Sequence, residues 1–91
     1  MRNEILTDKC FMNISRLVQM CIEENHAQIK KWGIQKHSSF EWLTYTTEEL
    51  GELAEAISEY EYRNGHKDNI VFEAIQVATL SLKIAEMYLS D

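Results

Sequence analysis

The chain predicts an all-α fold. Three observations carry that expectation: apolar residues recur at helical spacing, proline is absent, and only three glycines punctuate the 91 residues. No stretch alternates as a strand would. The reading is a single domain over residues 1–91 with three main helices, the second and third forming an antiparallel hairpin and a long first helix packing against it. The third helix is apolar on more sides than two neighbours can cover. A four-helix-bundle core completed by oligomerisation is therefore expected, in a homodimer or a homotetramer built as a dimer of dimers. A chain of this length buries only a limited core by itself, which points the same way.

In order, Thr7 or Asp8 is placed to cap a first helix whose apolar residues are Phe11, Ile14, Leu17, Val18, Cys21, Ile22 and Ile29. It ends near Trp32-Gly33. Gly33 through Ser39 reads as a connecting loop, and Ser38 with Glu41 forms a capping box for the next helix. The second helix is expected from about Phe40 to Arg63, with a break or kink at the weak helix formers Thr44, Thr46 and Thr47. Asn64-Gly65 terminates it. Asp68 or its neighbour starts the third helix, which runs nearly to the C-terminus. Its stretch Ile70–Ala85 is apolar apart from a narrow stripe through Asn69, Glu73, Gln76, Thr79 and Lys83.

Composition narrows the function. With 45% hydrophobic and 26% charged residues the chain falls among globular proteins, and no apolar run approaches the roughly 18 residues needed to cross a bilayer. No signal-peptide pattern is expected at its start. A formal charge of −6 argues against a nucleic-acid backbone partner, which needs clustered Lys and Arg. An acidic protein that handles phosphates needs a divalent cation between the two. Cys10 and Cys21 lie about 16 Å apart along one helix, too far to bridge, and their apolar neighbours predict buried thiols in a reducing, cytoplasmic interior.

The candidate chemistry sits in Glu48-Glu49-Leu50-Gly51-Glu52 and in Glu73. Leu43, Thr46, Leu50, Leu53, Ala54 and Ile57 share one side of the second helix, while Glu48, Glu55 and Glu59 point away. Glu49 lies at the edge of that stripe with Glu52 beyond it. Across the hairpin they converge on Glu73, a carboxylate in an apolar helix that needs a partner. Lys83 is about 15 Å along the axis from Glu73, so a shared divalent cation, Mg²⁺ or Mn²⁺, fits better. The alternative is a solvated acidic face on a non-catalytic helical module that dimerises through its third helix. Glu23-x-x-His26 is half of a di-iron carboxylate signature, but bundles that bind iron in this way carry the motif twice.

The pattern Glu49-x-x-Glu52 followed by Glu73 in an apolar helix resembles the signature of the all-α MazG-like nucleoside triphosphate pyrophosphohydrolases. The resemblance extends upstream through Lys31-Trp32-Gly33-Ile34-Gln35-Lys36-His37 and Trp42-Leu43, and downstream through Glu73-Ala74-Ile75-Gln76-Val77-Ala78. It implies a hydrolase that releases pyrophosphate and a nucleoside monophosphate by water attack at the α-phosphate, with housecleaning of non-standard nucleotides as its purpose. Glu49, Glu52 and Glu73 would be the catalytic magnesium ligands. Where the family's second motif usually ends in Asp, this chain has Gln76, a neutral amide that ligates Mg²⁺ more weakly and cannot take a proton from water. The departure implies fewer metals, compensation by Glu48, or lost activity, although glutamine also occurs in the small subgroup that the upstream stretch resembles. Trp32, His37 and Trp42 are the candidates for stacking on the base, and Lys83 for meeting a distal phosphate.

Overall fold

A computed structural model describes residues 6–90. It contains three helices, α1 (Ile14–Trp32), α2 (Ser39–Tyr62) and α3 (Lys67–Tyr88), and no strand among the described residues. The all-α expectation holds, and the boundaries of α2 and α3 fall within a residue of those expected.

The start of α1 differs. Cys10 and Phe11 take left-handed backbone conformations, φ 51° and 61°, which an α-helix excludes. Asp8 therefore caps a turn instead of a helix, its Oδ1 accepting from the Cys10 amide at 2.8 Å. Further turn bonds run from Met12 N–H to the Lys9 carbonyl and from Ile14 N–H to the Phe11 carbonyl. Phe11 and Cys10 are exposed, so only Cys21 is the buried thiol that was expected. At the other end of α1, Gly33 adopts φ 76° and its amide returns to the Ile29 carbonyl.

The capping box at Ser38 is formed in both directions. Ser38 Oγ accepts from the Glu41 amide, and Glu41 Oε1 accepts from the Ser38 amide at 2.9 Å. That backbone bond, with the Ser38 hydroxyl, holds the exposed Glu41 carboxyl below its ordinary pKa. No break follows at the threonines, because Thr44, Thr46 and Thr47 each donate a hydroxyl to the carbonyl one turn back and the helix runs through them. At its end Asn64 sits at φ 57° and the Gly65 amide reaches back to the Glu59 carbonyl at 2.8 Å. His66 then caps α3, its Nδ1 accepting from the Asp68 amide.

Packing places α3 in the middle. It is clasped by α2 along most of its length and crossed by α1, and the backbones of α1 and α2 do not approach one another. Cys21, Trp42, Ile75, Thr79 and Leu80 form the buried centre, the Thr79 hydroxyl being satisfied by the Ile75 carbonyl. This core is thin. The radius of gyration is 14.8 Å, against about 12 Å for a compact chain of this length.

The tight α2–α3 turn makes a stability prediction. A Cβ on Gly65 would lie 2.9 Å from the Glu59 carbonyl carbon and 3.0 Å from the Tyr60 nitrogen, whereas one on Gly51, in the middle of α2, meets nothing within 4 Å. Chemical denaturation should find Gly65→Ala destabilised by about 1–3 kcal/mol through overpacking. Gly51→Ala should be stabilised by about 1 kcal/mol through helix propensity.

Candidate metal centre and the groove beside it

Helical spacing puts Glu49 and Glu52 on one flank of α2, and the antiparallel hairpin brings α3 alongside at the level of Glu73. One carboxylate oxygen from each of the three lies within 4.8 Å of the others. Glu49 and Glu73 are half-buried and Glu52 is exposed. The three acids singled out from sequence are thus brought together.

Two features mark this trio. Glu73 Oε2 is shut off from solvent and, a proton carried by Glu49 apart, meets no hydrogen-bond donor among the described residues. No Lys, Arg or His forms an ion pair with any of the three among those residues. The cost of this crowding falls on Glu49. Burial, then proton sharing with Glu73 and Glu52, and then their like charge push its carboxyl from an ordinary 4.5 up to about 7. A divalent cation among the carboxylates would supply the missing positive charge, and an all-oxygen donor set suits Mg²⁺ or Mn²⁺. Glu48, Glu55 and Glu59 stand outside the trio; Glu59 pairs with Arg63 instead.

Beside the trio runs a groove of about 690 Å³ over α3, between α1 and α2. Its acidic end is lined by Glu48, Glu49 and Glu52 and its aromatic end by Trp32, His37, Trp42 and Tyr45. Trp42 is buried. The His37 ring meets it edge-on at 4.7 Å between centroids and meets Tyr45 at 5.2 Å. His37 is thereby built into an aromatic cluster, with Glu41 Oε2 at 3.5 Å from its Nδ1. Trp32 remains 61% exposed at the mouth, with the Lys31 ammonium over its ring.

The polar stripe of α3 is engaged by α1. Gln28 donates from Nε2 to Gln76 Oε1 at 3.3 Å and to Glu24 Oε2 at 3.0 Å. Lys83 donates to Gln28 Oε1 at 2.5 Å and lies over the Trp42 ring. Burial lowers the pKa of Lys83 and the charge of Glu24 opposes the shift. Lys83 therefore braces the wall of the groove and is not among the residues that line it, and Gln76 lines the groove with its oxygen turned toward Gln28. Sequence reading missed Gln28, Glu24 and Tyr45. Gln28 lies two turns beyond the buried Cys21, on the stripe of α1 that faces α3, and a polar residue there demands partners. Tyr45 lies one turn from Trp42, on an adjacent strip of α2.

No family model matches the chain, and neither a curated protein nor a solved structure does.

Proposed function

We propose that the chain is a Mg²⁺- or Mn²⁺-dependent nucleoside triphosphate pyrophosphohydrolase of the MazG-like kind, acting on non-standard nucleotides. The observation that carries the reading is the donor-less, buried Oε2 of Glu73, converging with Glu49 and Glu52 beside a groove that ends in aromatic rings. Carboxylates at one end and flat apolar faces at the other suit a molecule with a cation-bound polyphosphate and a base. In the reaction a water oxygen bonds to the α-phosphorus, the bond to the α–β bridging oxygen breaks, and pyrophosphate leaves with that oxygen. A bound divalent cation supplies charge neutralisation for the phosphates and lowers the pKa of water. Glu49, Glu52 and Glu73 hold it. Trp32, His37 and Trp42 flank the base, joined by Tyr45.

Self-association belongs to the same reading. Leu43, Leu50 and Ile57 recur every seven residues along α2 and are each roughly half exposed, as are Ile14, Val18 and Ile22 at intervals of four on α1. The chain exposes 7564 Å², against about 5,500 Å² for a monomer of its mass. The excess is of the size that a permanent homodimer buries. A second copy is the occupant these stripes fit, since the chain alone leaves no large side chain fully buried among the described residues. Free Cys10 and Cys21 suit a reducing, cytoplasmic compartment, and no helix is long and apolar enough to cross a membrane.

Three outcomes are expected. Pyrophosphate release from a panel of nucleoside triphosphates with Mg²⁺ should be lost in Glu52→Gln and Glu73→Gln with helicity unchanged, and kept in Glu59→Gln; a wild-type chain silent across the panel would leave the dimerising module as the reading.

The second outcome concerns pH. Between about 4.5 and 7 the folded chain keeps a proton on Glu49 that the unfolded chain releases, so this carboxyl's contribution makes stability fall as pH rises through that window and level off above it. Thermal unfolding should show that fall in wild type relative to Glu49→Gln, and millimolar Mg²⁺ should remove it.

Sedimentation at micromolar concentration should give a dimer or tetramer mass, and Leu50→Glu, which places a charge in the α2 stripe, should shift it toward the monomer.

A further inference from the structure

The hydrogen bonds joining Lys83, Gln28 and Gln76 have a direction that the chemistry of their ends imposes. An amide side chain can usually be turned over, exchanging oxygen for nitrogen. Gln28 cannot. Lys83 is a donor with no acceptor, so the Gln28 oxygen must face it; Glu24 is an acceptor when ionised, so the Gln28 nitrogen must face that carboxylate. Turning the amide over would set its N–H groups against an ammonium and its oxygen against a carboxylate. With Gln28 pinned at both ends, its second N–H points at Gln76 and selects the Gln76 oxygen as acceptor. What Gln76 has left is its Nε2, with two N–H donors and no partner among the described residues, on a side chain that lines the groove. Gln76 is thus a donor to whatever occupies the groove, and its oxygen is already spent.

Gln76 stands between the two ends of the groove. It lies one helical turn beyond Glu73, and Lys83 ties its relay to the face of the buried Trp42. A neutral donor beside an aromatic wall matches the edge of a stacked base, where a carbonyl oxygen accepts and an exocyclic amino group does not. We propose that Gln76 is a specificity-determining residue that reads a keto oxygen on the base, with Lys83 and Gln28 as positioning residues that hold its amide N–H outward. The proposal rests on the nucleotide-hydrolase reading of the site. The site accordingly prefers keto bases over amino bases of the same ring, uridine over cytidine and inosine over adenosine triphosphates. A hydrogen-bond donor left facing an amino group loses water without gaining a partner once the base covers it, and such mismatches discriminate.

The relay is tested first without any nucleotide. Side-chain amide hydrogen exchange by NMR should show the Gln28 N–H₂ protected and the Gln76 N–H₂ fast in wild type. Gln28→Glu, made in a Glu24→Gln background so that no two carboxylates face each other, replaces the amide by an acceptor-only group that still accepts from Lys83, so Gln76 turns over and its N–H₂ becomes protected. A Gln76 N–H₂ that is already protected in wild type and indifferent to Gln28→Glu overturns the relay, whatever the activity. The specificity is then read as kcat/KM ratios for uridine against cytidine and inosine against adenosine triphosphates. Wild type should favour the keto member at least tenfold, Gln76→Leu should bring the ratio near one, and Gln28→Glu should invert it, because the Gln76 oxygen now faces the base. Equal ratios in all three proteins, or an equal loss for both members of each pair in Gln76→Leu, would overturn base reading, the latter by assigning the donor to a phosphate oxygen. A wild type that turns over no nucleotide overturns the hydrolase reading and the base preference together, while the exchange measurement still decides the relay.

Discussion

A helix that is apolar around most of its circumference needs neighbours on several sides, and α3, lying between α2 and α1, obtains two and leaves Val71, Phe72, Leu82 and Met87 about half exposed. Most of what is particular to this chain follows from that arrangement. Because α1 and α2 are held apart by the helix between them, a groove opens over α3, with Phe72, Gln76 and Leu80 of α3 as its floor. A more compact arrangement of three helices would have closed it. The same layering leaves the outer stripes of α1 and α2 uncovered, which is why the core is thin and the chain extended.

Within that frame the acidic trio is a point of stored electrostatic cost. The antiparallel packing of α2 on α3 places Glu73 against Glu49 and Glu52. The carboxylates answer by sharing a proton, with Glu49 raised to about 7. No Lys, Arg or His among the described residues pairs with the three carboxylates, so nothing positive in the described chain offsets that cost. Lys83 shows the contrast. It lies on the same helix stripe as Glu73, yet its charge is spent on Gln28, Trp42 and the field of Glu24, one end of the groove away from the acids.

What the sequence by itself determined was local. Helical periodicity, the Ser38–Glu41 capping box, the glycine at 33 and the Asn64-Gly65 stop are encoded within a few residues of where they act, and the helices start and end there. The convergence of Glu49, Glu52 and Glu73 was legible for the same reason, since one acid at the edge of an apolar stripe and another inside an apolar helix have only one way to meet across a short turn. The N-terminal boundary was not legible. The apolar spacing of Phe11 and Ile14 continues the pattern of α1, but left-handed residues at 10 and 11 stop the helix short, and no neighbour covers Phe11 to hold it in one.

Only the tertiary structure decided how polar side chains from different helices pair. Gln28 and Gln76 are 48 residues apart and Gln28 and Lys83 are 55 apart, separations over which no sequence periodicity carries information. Their hydrogen bonds depend on the angle at which α1 crosses α3. That crossing turned Lys83 from an expected phosphate contact into a brace and turned the oxygen of Gln76 toward α1. The physical reason is range: helix formation is settled by neighbours within one or two turns, whereas the hydrogen-bond polarity of a groove is settled by whichever helix happens to form its opposite wall.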